Sequence, residues 1–279
     1  MPFLHVPEAT IYYEVHGEGP PLVLVPGGRG TAEVFRALLP HLTARYTVVL
    51  MDRRGFLRSK LLGPQDGDKL ASDIDDIHRL IEALEIGPAT VFGSSSGAVV
   101  TLGLMAAHPE SVQTMIAHEP AAVSLLPDDG HWVDFFARMY AVYRESGMPA
   151  AYELFREHGF AEVDKQAMKA SVNLDDEETR ANSTHWFENE LRQYTAVQLD
   201  TAAIAEHSQK FVAAGGEASA GFPTYEVARL LADKTGTPVL QFPGGHIGYA
   251  THPAEFAQVL LRFLDGLSSR DSDKSAPRS

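Results

Sequence analysis

Short apolar runs and amphipathic stretches alternate along the first 120 residues, and few folds accommodate that rhythm. Thr10–Val15 alternates apolar and polar positions and reads as an outer strand. Pro21–Val25, Tyr46–Met51, Ala89–Phe92 and Val112–Ala117 show little alternation, as strands covered on both faces do. The stretches between them repeat at helical spacing. In Ala32–Leu42, Val34, Leu38, Leu39 and Leu42 share a face; in Leu70–Leu84, Ile74, Ile77, Leu80, Ile81 and Leu84 form one stripe; Gly97–Ala107 reads as a helix of small residues. The expected fold is α/β, with a mostly parallel central sheet flanked by helices.

After Glu119 the rhythm lapses. From about Ala121 to His207 no parallel-type strand is evident, and the segments Trp132–Arg144, Ala150–Glu157 and Thr179–Leu199 are helical and rich in aromatic residues. Strand-like runs resume at Lys210–Ala214 and Pro238–Phe242, and Ala254–Leu267 reads as a final amphipathic helix. Residues 1–120 and 208–267 are therefore expected to form one core, with 121–207 as a helical cap inserted into it. Residues 268–279 are polar and Ser-rich, carry Pro277, and read as a disordered tail.

A chain of 279 residues suits one core with an insertion. Its 37 acidic and 23 basic side chains give a charge of −14, so neither nucleic acid nor a membrane surface is an expected partner. The longest nearly apolar stretch, Gly97–Ala107, is too short to span a bilayer, and Met1–Thr10 shows no secretory pattern. With no cysteine, thiol nucleophiles, disulfides, Cys-ligated zinc and iron–sulfur clusters fall away together, and a reducing, cytoplasmic setting is expected. The catalytic group must come from Ser, His, Asp, Glu, Tyr, Lys or a bound cofactor. The 12 histidines show neither H-E-x-x-H nor another metal spacing, and neither a metal nor a cofactor is expected.

Gly93-Ser94-Ser95-Ser96-Gly97 falls between the strand Ala89–Phe92 and the helix that follows. It matches G-x-S-x-G in the strand–turn–helix context that gives the motif meaning, with Ser95 at the apex of the turn. Val25-Pro26-Gly27-Gly28-Arg29-Gly30, Asp52-Arg53-Arg54-Gly55 with Arg58-Ser59, and Pro243-Gly244-Gly245-His246 accompany it. On these stretches the chain, over about residues 5–267, resembles the α/β-hydrolase fold superfamily. Pro26 departs from the pattern, since His is commonest there. The resemblance implies a serine hydrolase with Ser95 as nucleophile and His246 as general base. It also implies an oxyanion hole made by the backbone N–H groups of Ser96 and Gly28.

The acid is less plain. The usual Asp position after the strand Lys210–Ala214 is occupied by Ser219, which carries no charge. Two carboxylates can replace it. Glu119 ends the strand Val112–Ala117, the strand end from which some members of the superfamily, fungal lactone-degrading enzymes among them, take their acid. Glu217, in the turn after Lys210–Ala214, is the alternative. Pro120 is expected to hold Glu119 in extended geometry.

Asp52 is expected to orient loops with Arg53, Arg54 or Arg58, and Asp73, Asp75 and Asp76 to form a solvated cluster in the first turns of a helix. His118 is a candidate for a supporting role beside Glu119. Arg29, Trp186 and Tyr194 are candidate substrate contacts. The reading is a cofactor-independent serine hydrolase, as a monomer or homodimer, cleaving a carboxylic ester or lactone of a largely apolar small molecule. The alternatives are C–C bond hydrolysis or perhydrolysis with the same residues, and a hydrolase-like ligand sensor with little turnover.

Overall fold

The computed structural model of the chain describes residues 2–64, 67–128 and 130–275. Its strands are β1 (Phe3–Val6), β2 (Ala9–His16), β3 (Pro21–Val25), β4 (Thr47–Met51), β5 (Ala89–Ser94), β6 (Val112–His118), β7 (Phe211–Gly216) and β8 (Leu240–Phe242). They form an 8-stranded sheet in the order β1-β2-β4-β3-β5-β6-β7-β8. The β1–β2 and β2–β4 pairs are antiparallel and all the others parallel. The mostly parallel α/β sheet expected from the sequence is present. The addition is β1, an edge strand of four residues, Phe3–Val6, too short to show a strand period by itself.

The continuous apolar runs have a direct structural cause. Along each central strand, alternate residues enter two separate cores. Val23, Val25, Val49, Met51, Val91 and Met115 join one, with Ile77, Leu80 and Leu102 from the helices Lys69–Ala83 and Ser96–Ala107. Leu22, Leu24, Val48, Leu50, Phe92 and Ile116 join the other, with Phe35, Leu42, Phe256 and Leu260. A strand buried on both faces has no polar face to show.

Between β6 and β7 the chain is helical, with the longer elements at His131–Ser146, Met148–Gly159, Glu162–Ser171 and Glu177–Asn189, then shorter ones at Leu191–Thr195 and Thr201–Glu206. Phe136, Met139, Trp186, Phe187, Leu191 and Tyr194 from this insertion share the first core with the sheet. The insertion is thus welded to the sheet through apolar burial, each such side chain contributing about 1.5–3 kcal/mol.

Three local expectations are corrected. Ala32–Leu42 is a 3₁₀ helix over Ala32–Leu38 followed by one α turn, because Pro40 has no N–H to continue a helical ladder. The Thr179–Leu199 stretch breaks at Glu190, whose side chain is committed elsewhere, and carries no helix beyond Thr195. The last helix spans Pro253–Ser275, so 268–275 are helical rather than tail; no proline interrupts them, and residues 276–279, with Pro277, lie outside the described residues. Among the described residues no helix is long and apolar enough to cross a membrane.

Candidate active site

The site lies at the carboxyl ends of the parallel strands, where open α/β sheets present their ligand crevices. Ser95 follows β5 with φ 56° and ψ −120°, a conformation that non-glycine residues avoid. The flanking glycines make this turn sterically possible. A Cβ at Gly93 would fall 2.5 Å from Thr101 Oγ1, and one at Gly97 2.3 Å from the carbonyl oxygen of Val25. The turn is fastened by the Ser95 N–H, which donates to the His118 carbonyl at 3.0 Å. The spacing of G-x-S-x-G is therefore a close-approach requirement: the helix has to start directly against β3.

Glu119 follows β6 and is fully buried. Its Oε2 lies 2.6 Å from His246 Nδ1 and also accepts from Thr224 Oγ1 at 2.9 Å; its Oε1 accepts from the Gly216 N–H at 2.9 Å. Burial opposes ionisation of this carboxyl, but the charge and hydrogen bond of His246 outweigh it and hold the pKa at about 2. Burial likewise opposes the imidazolium of His246, and Glu119 more than compensates, so its pKa is raised. With the proton on Nδ1 facing Glu119, Nε2 is left as an acceptor; it has no hydrogen-bond partner among the described residues. Glu217, the other candidate acid, is exposed in the 3₁₀ turn Glu217–Ser219, and Ser219 is buried without a bond to His246.

The extended geometry expected for Glu119 ahead of Pro120 is not what the chain adopts. Glu119 has φ 46°, held there by its N–H to the Ala214 carbonyl at 2.9 Å and by the bonds to its carboxylate. Such a conformation costs on the order of 1–3 kcal/mol and persists only where its surroundings over-determine it.

Ser96 is the first residue of its helix and Gly28 lies in the loop after β3; no acceptor for either N–H is found among the described residues. A Cβ at Gly28 would sit 2.6 Å from Trp186 Nε1, so this loop needs glycine to admit the indole. Ser95, Ser96, Thr224 and His246 line one cavity together with Phe136, Phe155, Phe160, Trp186, Leu191 and Tyr194 of the insertion. Its volume is about 20 Å³, room for a single water. Of the expected substrate contacts, Trp186 and Tyr194 line this cavity. Arg29 does not: it is exposed and donates to the Ser171 carbonyl at 2.7 Å, tying the Gly28 loop to the insertion. A larger cleft of about 310 Å³ lies within the insertion, beside Tyr152, Arg156 and Lys169.

Lys69 and Glu190 had no sequence signal, and the sequence did not pair Arg53, Asp73 and Tyr194 with them. Arg53 is buried beneath the Gly28 loop. Its Nε and Nη2 donate to the carbonyls of Pro26 and Gly27 at 2.9 and 2.8 Å, and its other donors meet Asp73 and Glu190. Lys69 reaches the same two carboxylates at 2.8 Å, and Tyr194 Oη donates to Asp73 at 2.5 Å. The expected solvated cluster is thus corrected: Asp73 and Asp76 are buried, the latter on Arg54 at 2.7 Å, and Asp75 alone of the three is exposed. Asp52, as expected, orients loops, accepting from Arg58 and from the Ala32 N–H. His118 is fully buried among Phe92, Phe242, Tyr249 and Phe256, its ring 6.4 Å from that of His246, and burial lowers its pKa to about 4.

Residues 20–253 match the alpha/beta hydrolase fold family. The chain is 36% identical over 266 residues to the uncharacterized hydrolase YraK of Bacillus subtilis, covering 94% of this chain and 95% of that one. Among solved structures it is similar to Est816, described as an N-acyl homoserine lactone degrading enzyme, with a TM-score of 0.73, 19% identity and coverage of 94% and 100%. It is also similar to the enol-lactonase of Burkholderia xenovorans, with a TM-score of 0.65, 18% identity and coverage of 95% and 100%. With its sheet order, its strained serine turn and these relatives in agreement, the chain belongs to the α/β-hydrolase fold family.

Proposed function

We propose that this chain is a serine hydrolase that cleaves a carboxylic ester or lactone of a largely apolar small molecule, with Ser95, His246 and Glu119 as its catalytic residues. The observation that carries the reading is the buried Glu119–His246 pair at 2.6 Å, whose imidazole lines the same cavity as the strained Ser95. In the proposed reaction His246 Nε2 takes the proton of Ser95 Oγ as the oxygen attacks the carbonyl carbon. The N–H groups of Gly28 and Ser96 hold the oxyanion. The C–O bond then breaks and the alcohol leaves with the proton from His246. Water, deprotonated by the same imidazole, releases the acid and restores the serine. Glu119 holds the Nδ1–H tautomer and stabilises the imidazolium.

Seven apolar or aromatic side chains of the insertion line the cavity, which supports an apolar substrate and a capping role for that segment. An enzyme described as degrading N-acyl homoserine lactones and an enol-lactonase share this fold, which supports the lactone reading. The near-closed cavity also favours a second reading, a ligand sensor with slow turnover. A fluorophosphonate probe tests the first step: mass mapping is expected to find the label on Ser95, and an unlabelled Ser95 rejects the hydrolase. Multiple turnovers on a panel of esters and lactones then separate enzyme from sensor. Adding a C–C-cleavable diketone and a peroxide acceptor to the panel covers the related chemistries.

A further inference from the structure

The insertion contributes more than apolar walls. Asp164, in the helix Glu162–Ser171, is fully buried, and its carboxylate grips the chain that carries the proposed base. Oδ2 accepts from the His246 N–H at 2.8 Å and Oδ1 from the Ile247 N–H at 3.1 Å. The space for this carboxylate exists because residue 245 is glycine: a Cβ there would fall 2.1 Å from Asp164 Oδ2. Four residues before Asp164, Phe160 sets its ring 5.0 Å from that of His246. Backbone and ring of His246 are therefore both held by a segment outside the sheet.

We propose that Asp164 is a positioning residue for His246: by clamping both peptide N–H groups at 246 and 247 it fixes the imidazole against Ser95, so the reactive geometry exists only while the helix Glu162–Ser171 is docked. This rests on the serine hydrolase reading above. A carboxylate suits the two adjacent N–H donors because it gives each its own oxygen and adds charge, where an amide would turn its NH2 donors toward one of them. Small displacements of a base are costly, about a hundredfold for a 1 Å misplacement.

The charge leaves a signature that packing alone would not. The titratable groups around His246 are Glu119 and His118 from the β6 end and Asp164 from the insertion, with Tyr249 of its own segment against the far side of His118. Asp164 adds to the influences that raise the pKa of His246. Removing that charge lowers it, and the pH at which the base is lost to protonation moves down.

The test is the rate at which a fluorophosphonate labels Ser95 in the full chain, followed against pH. Asp164→Asn is expected to slow labelling about 10- to 100-fold and to shift its acid limb to lower pH. Asp164→Glu, which keeps the charge, is expected to leave the limb in place with a smaller loss of rate. Wild-type rates with an unmoved limb in Asp164→Asn overturn the proposal and reduce Asp164 to a strut. If Asp164→Asn does not fold, Asp164→Glu decides, and a wild-type labelling rate in a folded Asp164→Glu overturns it too. Failure of the wild-type chain to label at Ser95 is a different outcome, since it removes the hydrolase reading and the proposal with it.

Discussion

Two buried charge arrangements join the sheet to the insertion, and they are completed differently. Around Arg53, two cations and two carboxylates meet with Tyr194, and every donor group of the guanidinium is used on Pro26, Gly27, Asp73 or Glu190. Around His246, Glu119 and Asp164 engage the side-chain Nδ1 and the backbone, but Nε2 has no partner among the described residues and the ring borders the cavity. The first arrangement is closed on itself and can only hold. The second keeps one basic atom in reserve, and a site that is to move a proton needs such an atom. The closed cluster nevertheless serves the open one, because it secures the Gly28 loop from below.

Substitutions that exchange these characters give the largest effects. Glu119→Gln keeps the shape of the acid but not its charge, and turnover is expected to fall roughly 10³–10⁴-fold with the fold intact. Near wild-type turnover would return the role to Glu217. In the closed cluster the corresponding loss is one of stability: Glu190→Ala leaves Arg53 and Lys69 sharing Asp73, with one buried positive charge in excess, and is expected to cost about 3–5 kcal/mol in denaturant unfolding. A change well under 1 kcal/mol would mean that Asp73, with water in the place of Glu190, suffices for both cations.

A smaller effect comes from His118, which lies just behind the open pair. Its folded pKa of about 4 is below the ordinary 6.5, so above pH 6.5 both folded and unfolded forms are neutral and nothing is lost. As pH falls from 6.5 to 4 the unfolded chain gains the proton first, and stability drops by up to about 3 kcal/mol. His118→Phe is expected to flatten that segment of the stability–pH curve; an unchanged curve would place the acid sensitivity in His185, whose pKa burial also lowers to about 4. At the far end of the scale, Arg229→Ala removes only exposed pairs with Glu226 and Asp233 and is expected to leave the melting temperature unchanged.

How much could be read in advance follows the same division. Ser95 was legible because the motif, its strand and its helix are contiguous in sequence, and the steric demands at Gly93 and Gly97 are local. His246 and Glu119, with Glu217 as the alternative acid, were pointed to by the resemblance to the α/β-hydrolase fold, which places a base after the last strand and an acid at a strand end. The residues that complete each arrangement were not legible, because their partners are remote: Asp164 meets a backbone 82 positions away and Glu190 a side chain 137 away. Nothing in the local pattern of a charged helix tells a carboxylate that faces water from one that faces a buried arginine. For that reason the helix 69–83 looked solvated where it is ionic and buried at Asp73 and Asp76. Glycines told more, since those at 28, 93, 97 and 245 each mark a place where another group comes too close for a Cβ.

The cavity of about 20 Å³ has a kinetic consequence. For the proposed hydrolase, a compartment with room for one water would have to widen, by movement of side chains such as Phe155, Phe160 or Trp186, before an acyl group could enter. If the open form is the minor one, the observed affinity would be lowered by the fraction of the protein that is open. Reagents of different bulk would share one ceiling rate at high concentration, set by the insertion rather than by their chemistry.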